Sequence, residues 1–196
     1  LLVDDGPNPQ TTPKALEYLR NNNLTATFFV NGINYGDVEN DPVAVNLIKQ
    51  EYQEGHDIGS HTYYHKDLFE AIQEGTMEMN IDKMTDKIEE IIGVKPAFFR
   101  PPCGRYNEKV QKYLGASGYS VIMWGTDTRD WEHKDNVELV IAELNKELAA
   151  PGVSPATHSF ISLMHDVHPT TVDTILPAVV DYVKSLGYQF VSLPEC

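Results

Sequence analysis

Two adjacent carboxylates near the start of the chain have the clearest chemical potential. Asp4 and Asp5 follow the apolar pair Leu2-Val3 and are followed at once by Gly6-Pro7. Because neighbouring carboxylates repel each other, we expect a cation in the folded protein to compensate their charge. A metal ion is the most direct candidate.

Two histidines, His61 and His65, stand four residues apart. One helical turn would place both imidazoles on the same side, within reach of a single ion. Because residue 62 is threonine, the segment is not a His-Glu-x-x-His protease motif, and Asp4 and Asp5 can supply the third ligand and a base. Two histidines and one carboxylate suit a hydrolytic zinc site or a non-haem iron oxygenase, whereas the motif alone also fits two surface histidines.

Asp130 and His165 form a second candidate pair, in the segments 127–131 and 163–165. A carboxylate bonded to one imidazole nitrogen fixes the tautomer and raises the basicity, which leaves the other nitrogen as a proton donor. Taken singly, Asp130 could instead cap a loop, and His165 could be a satisfied histidine at the end of a strand.

Arg100 is followed by Pro101-Pro102, which hold the next loop extended and delay the following helix until Asn107. Arg100 can therefore direct a permanent positive charge at Asp4 and keep it ionised. An ordinary surface ion pair is the alternative.

Short apolar runs alternate with amphipathic stretches along the whole chain. The runs predict strands at 1–3, 26–30, 56–59, 97–100, 119–124, 160–163 and 189–192. The amphipathic stretches predict helices at 12–22, 42–55, 76–93, 107–118, 136–148 and 171–186. This alternation indicates an α/β fold with a mostly parallel sheet, either a barrel or an open doubly wound sheet, and places the polar residues at one edge. The lack of a Gly-x-Gly-x-x-Gly after the first strand argues against a dinucleotide site.

The composition excludes several classes of partner. The chain of 196 residues has 15 basic and 29 acidic side chains, a net charge of -14, which argues against nucleic acid. The apolar runs are too short for a membrane span. Without a linker or an internal repeat, residues 1–196 are expected to form one domain.

Five motifs, taken in chain order, resemble those of the polysaccharide deacetylases of carbohydrate esterase family four, the NodB-homology domain. The motifs are Asp-Asp-Gly-Pro at 4–7, His-Thr-x-x-His at 61–65, Arg-Pro-Pro-Cys-Gly-Arg-Tyr at 100–106, Asp-Thr-Arg-Asp-Trp at 127–131 and Leu-Met-His at 163–165. The likeness runs from residue 2 to about 195. The segments 30–35 and 164–171 resemble those of fungal chitin deacetylases in particular.

The resemblance implies a distorted (β/α) barrel of about seven parallel strands. It also implies roles for individual residues, all named here by their position in this chain. Asp5, His61 and His65 would hold a divalent metal, usually zinc and sometimes cobalt. The catalytic groups would be Asp4 as general base, Arg100 tuning it, His165 as general acid, Asp130 orienting that acid, and the Tyr106 backbone amide binding the oxyanion. The substrate site would be lined by Trp131, Leu163, Pro101 and Tyr106.

The implied activity is metal-dependent hydrolysis of N-acetyl groups on the GlcNAc units of chitin or chitooligosaccharides, by a monomer that is secreted or in the cell wall. An acetylxylan esterase or a peptidoglycan deacetylase with the same machinery, and a non-catalytic glycan-binding protein, are the alternatives. Aromatic residues of the predicted loops could stack on sugar rings or pack within the loops. These residues are Tyr35, Tyr63, Tyr64, Tyr106 and Trp131.

The chain departs from the family pattern at Leu2-Val3, where the family usually has threonine and an aromatic residue. We expect altered packing near the metal and unchanged chemistry. The chain also begins inside its first predicted strand, which suggests that residues precede it. Cys103 and Cys196 could bond to each other, remain separate thiols, or pair with a cysteine upstream.

Overall fold

The structure, a computed structural model, describes residues 1–195, so Cys196 and the predicted pairing alternatives that involve it lie outside the described residues. Seven short strands are present in that range, and all of their ladders are parallel. They are β1 (Leu2–Asp4), β2 (Thr27–Val30), β3 (Asp57–Ser60), β4 (Phe98–Phe99), β5 (Ser120–Val121), β6 (Thr126–Asp127) and β7 (Ser162–Leu163).

The strands form one arc. Strands β1 to β5 are neighbours in chain order, and β6 pairs with β7. A parallel bridge between Asp4 and His165, with the Asp4 N–H donating to the Met164 carbonyl at 2.9 Å, joins the end of β1 to the residues after β7. The predicted α/β fold with about seven parallel strands is confirmed. Within residues 1–195 no ladder joins β5 to β6, so the arc of strands is not closed there.

Eight α-helices cover the strands in the described part of the chain. They are α1 (Thr12–Asn21), α2 (Pro42–Gln53), α3 (Leu68–Gln73), α4 (Met77–Ile92), α5 (Glu108–Ala116), α6 (Asp130–His133), α7 (Val137–Leu148) and α8 (Leu176–Ser185). Side chains of Asp41, Asn107 and Asn136 accept backbone N–H groups at the starts of α2, α5 and α7, as expected of such residues. None of the helices in residues 1–195 has the length and apolar character that crossing a bilayer requires.

The structure differs from the sequence-based expectation at two strands and two helices. Residues 189–192 lie outside any strand, although a strand was predicted there, and the short strand β6 was not predicted. Strand β6 exists because the N–H groups of Gly125 and Thr126 both donate to the Ile161 carbonyl, a contact between residues distant in sequence. The short helices α3 and α6 were also missed, since one or two turns are too brief to show a helical period.

Glu51 is an acidic residue on the buried face of α2. Its side chain is fully buried, and neither carboxylate oxygen has a hydrogen-bond partner in residues 1–195. Burial, assisted by the charge of Asp166, raises the pKa of Glu51 well above its ordinary value of 4.5. The native protein therefore keeps a proton that the unfolded chain releases, and its stability falls as the pH rises above that ordinary value.

Glu51→Met is expected to stabilise the protein at pH 8, because it removes a buried acid and preserves volume. The free energy of unfolding should rise by at least about 1 kcal/mol. This is slightly less than the free energy that corresponds to a shift of one pKa unit. The gain should shrink towards pH 4.5, where the native side chain is protonated and the unfolded chain binds the same proton about half of the time. Urea unfolding of both proteins at the two pH values measures this, and a difference that does not change with pH would contradict the titration.

Candidate metal and catalytic site

Asp5, His61 and His65 come together at the carboxyl ends of β1 and β3. One potential ligand atom from each residue lies within 4.8 Å of the other two. Nε2 of His65 lies 3.1 Å from Oδ1 of Asp5, and Nε2 of His61 lies 3.5 Å from the same oxygen. The structure thus brings together the three residues predicted as ligands.

The donor set fits a divalent cation. Nδ1 of His61 lies 2.7 Å from the Arg100 carbonyl, which can only accept, so the proton is on Nδ1 and the Nε2 lone pair faces Asp5. Oδ1 of Asp5 is buried and has no hydrogen-bond partner in the described chain. Burial alone would raise the pKa of Asp5, but His61 and His65, whenever their rings carry a proton on Nε2, hold it well below its ordinary value. An ionised carboxylate facing an imidazole lone pair is a set of groups that a cation would complete.

Three residues in the ligand-bearing segments have a left-handed backbone conformation that non-glycine residues seldom adopt. The φ angles are 79° at Asp5, 69° at Thr62 and 49° at His65. Such residues cost on the order of 1–3 kcal/mol each and persist only where the surrounding structure holds them. At Asp5 this conformation ends the alternation of side-chain directions along β1. The side chains of Asp4 and Asp5 therefore need not point to opposite faces, as neighbouring residues of a strand do.

Asp4 is held by Arg100. Nη1 of Arg100 donates to Oδ1 of Asp4 at 2.9 Å, and both side chains are buried. Oδ2 of Asp4 faces Nε2 of His61 at 3.9 Å. The guanidinium also lies over the ring of Phe29, 4.5 Å from its centroid. The predicted contact between Arg100 and Asp4 is therefore present as a buried ion pair, and the alternative of a surface pair is wrong.

His165 is oriented by Asp130. Nδ1 of His165 lies 2.8 Å from Oδ1 of Asp130, and the His165 backbone N–H donates to Oδ2 at 2.9 Å. The Thr171 hydroxyl also donates to Oδ2, at 2.8 Å. Although burial disfavours the imidazolium, Asp130, together with the charges of Asp5 and Asp4, raises the pKa of His165 to about 9, which favours the protonated ring at neutral pH. The bridge between Asp4 and His165 places this pair at the same edge as the metal ligands.

The residues predicted to bind substrate lie in the loops that follow the strands. Pro101 is buried directly after Arg100, Leu163 is buried in β7, and Trp131 is half exposed in α6 beside Asp130. The backbone N–H of Tyr106 makes no hydrogen bond within residues 1–195, as an oxyanion donor requires. The roles of these four residues stay predictions.

One of the aromatic residues that could stack on sugars is excluded from that role. Tyr63 is fully buried, with Lys83 Nζ 3.9 Å from its ring centroid. A Cβ at Gly32 would lie 2.3 Å from the Tyr63 ring, so the ring packs directly on that backbone. Tyr63 is therefore a packing residue, whereas Tyr35 and Tyr64 are exposed.

Sequence reasoning missed two features of the site. Asn31, directly after β2, donates its side-chain amide to the His61 and Thr62 carbonyls. His168 was given no role, yet its ring centroid lies 5.9 Å from that of His165 and 6.0 Å from that of Tyr35. The signal available for Asn31 was a polar residue directly after a predicted strand. Nothing in the sequence indicated which groups it contacts.

The fold and the site define a class of protein: a parallel α/β domain with a candidate metal site and an acid–base pair at the carboxyl ends of its strands. The model of the polysaccharide deacetylase family matches residues 1–122. The chain belongs to that family, as the five motifs indicated.

Curated relatives and solved structures support the same assignment. A chitin deacetylase of Arthroderma benhamiae is 35% identical over the whole chain, which spans 50% of that protein. A peptidoglycan-N-acetylglucosamine deacetylase of Listeria monocytogenes is 34% identical over the whole chain, which spans 38% of its length. The chitin deacetylase structure from Colletotrichum lindemuthianum superposes with a TM-score of 0.89 at 33% identity, covering all of this chain and 84% of that one. This chain thus spans half or less of the length of these two curated relatives.

Proposed function

We propose that the protein is a metal-dependent hydrolase that removes N-acetyl groups from the GlcNAc units of chitin or chitooligosaccharides and releases acetate. One observation carries the proposal. The carboxyl-terminal edge of the strands holds three potential ligand atoms within 4.8 Å of one another, together with Asp4 and His165. The similarity to chitin deacetylases supports the substrate class.

The proposed metal ligands are Asp5, His61 and His65, and zinc is the expected ion, with cobalt as an alternative. A divalent cation there would act as a Lewis acid that lowers the pKa of a coordinated water from ~15.7 toward ~7. Asp4 would accept the proton of the attacking water, because Arg100 leaves its Oδ2 facing the ligand His61.

The remaining groups would act on the substrate. The free N–H of Tyr106 would stabilise the oxyanion, and loss of one such donor typically costs about 10²- to 10³-fold in rate. His165, protonated through its contact with Asp130, would give its proton to the departing nitrogen. Trp131, Leu163 and Pro101 would contact the acetyl group and the sugar that carries it.

A peptidoglycan GlcNAc deacetylase is the second candidate, because relatives of that name match the whole chain at similar identity. An acetylxylan esterase would use the same machinery. The net charge of -14 favours a neutral glycan, or one that becomes cationic on deacetylation, over an anionic polymer. We further propose that residues 1–196 form one catalytic domain that acts as a secreted or cell-wall monomer.

Chelation is expected to abolish acetate release from chitooligosaccharides, and added zinc to restore it. Asp5→Ala should release no acetate and retain less zinc, because it removes one of the three ligands. The measurement combines metal analysis with an acetate assay on chitooligosaccharides, peptidoglycan and acetylxylan. Release that resists chelation would contradict the metal-dependent mechanism, and glycan binding without release would indicate a non-catalytic protein. Release from peptidoglycan or acetylxylan alone would favour those alternatives.

A further inference from the structure

Asn31 lies buried between the two segments that carry the candidate metal ligands, although it is not a ligand itself. Its backbone N–H donates to the Gly6 carbonyl at 2.8 Å, next to Asp5. Its side-chain Nδ2 donates to the His61 carbonyl at 2.5 Å and to the Thr62 carbonyl at 2.9 Å. One residue therefore ties the Asp5 segment to the histidine segment.

The orientation of the Asn31 amide is fixed by its partners. Nδ2 faces two carbonyl oxygens, which only accept, so the NH₂ end of the amide must point at them. Oδ1 accepts from Nδ2 of Asn34 at 3.2 Å, and that same nitrogen lies 3.4 Å from the Asp5 carbonyl. The Nδ2 end of the Asn31 side chain thus binds the histidine segment directly, and the Oδ1 end reaches the Asp5 segment through Asn34.

The two carbonyls that Asn31 holds belong to the peptide groups on either side of the Thr62 Cα. Thr62 is a buried, β-branched residue at a φ of 69°, where such a side chain is strongly disfavoured. A donor pair that binds both peptide groups fixes their relative rotation and opposes relaxation of the turn. The N–H of Ile33 extends this support to the Tyr63 carbonyl at 2.7 Å.

We propose that Asn31 is a positioning residue of the metal centre, which holds the turn at Thr62 and the Asp5–Gly6 segment in register. It keeps the ligand atoms close together before any ion binds, so its loss lowers metal affinity beyond any general loss of stability. The inference rests on the proposed function, because it requires that Asp5, His61 and His65 hold a metal.

The test compares two buried asparagines. Asn80 is as buried as Asn31, but its side-chain Nδ2 donates within its own helix start, to the Thr76 carbonyl at 3.0 Å. Asn80 meets the histidine segment only through its backbone carbonyl, which accepts from the Tyr63 N–H at 3.0 Å and which a side-chain substitution retains. Asn31→Leu and Asn80→Leu are titrated with Co²⁺, and the melting temperature of each metal-free protein is measured. Asn31→Leu is expected to weaken Co²⁺ binding by about 10- to 100-fold, the usual effect of losing a residue that supports a ligand. Asn80→Leu should lower the melting temperature and leave the Kd for Co²⁺ unchanged.

Asn31→Ser should give an intermediate Kd, because its hydroxyl can donate to only one of the two carbonyls. If Asn31→Leu does not fold, Asn31→Ser against Asn80→Ser makes the same comparison. If the Asn31 and Asn80 variants lost the same amount of melting temperature and bound Co²⁺ equally weakly, the inference would be overturned. The proposed function would still stand. Wild-type protein that binds Co²⁺ no better than Asp5→Ala would contradict the metal site itself.

Discussion

Asp4→Asn is expected to lower kcat for acetate release by about 10²- to 10⁴-fold, the usual contribution of a positioned general acid or base. The amide has the size of the carboxylate but cannot take a proton from water. Its oxygen can still accept from Arg100, which donates to Asp4 at 2.9 Å, so the surrounding structure should be retained. Substrate binding should change little, since Asp4 acts on the water in the proposed mechanism.

Metal content separates this effect from loss of the centre. Asp4→Asn should retain as much zinc as the wild type, because Asp5, His61 and His65 are all present. Asp5→Asn is the matched control one residue away, and it should lose zinc and turnover together. If Asp4→Asn lost its metal as well, Asp4 would belong to the ligand set and the proposed division of roles between the two aspartates would be wrong.

His165→Ala is expected to slow amide cleavage far more than ester cleavage. An amine is a poor leaving group until it is protonated, whereas an alcohol or phenol departs more easily. Acetate release from chitooligosaccharides should therefore fall by about 10²-fold or more, and that from an aryl acetate ester by less than about tenfold. Asp130→Asn should show the same selectivity to a smaller degree, because Asp130 orients His165 and raises its pKa.

The comparison needs steady-state rates on both substrates for each variant. His168→Ala is a useful control, because that ring lies 5.9 Å from the His165 ring and makes no hydrogen bond to Asp130 in the described residues. It should change the two rates by the same factor. Equal losses on amide and ester in His165→Ala would indicate a role in binding and not in protonation.

Most groups of the site were predictable because they follow strands that the sequence pattern predicts. Asp4, Arg100 and His165 stand directly after apolar runs, and parallel strands bring such positions to one edge. The pairings also followed from chemistry, since a buried carboxylate calls for a cation and a histidine for a partner that fixes its tautomer.

What the sequence could not predict depends on backbone conformation and on distant contacts. The left-handed conformation at Thr62 contradicts the preference of a β-branched residue, and long-range contacts such as those of Asn31 with the two carbonyls support it. The burial of Tyr63 depends on Gly32, which is far from it in sequence and has no side chain to block the ring. Strand β6 has two residues, too few for any periodic pattern.

The bridge between Asp4 and His165 joins parts of the chain that are far apart in sequence. The proposed metal ligands all lie within the first 65 residues, whereas the proposed acid and its partner lie at 165 and 130. Parallel pairing between strands that are far apart in sequence costs more loop-closure entropy than local pairing, and it forms slowly. A folding chain could therefore assemble its ligand set before it gains the proton donor. During refolding of such a chain, the recovery of catalysis would report the final docking of β7 against β1. The recovery of metal binding would report the earlier assembly of the ligand set.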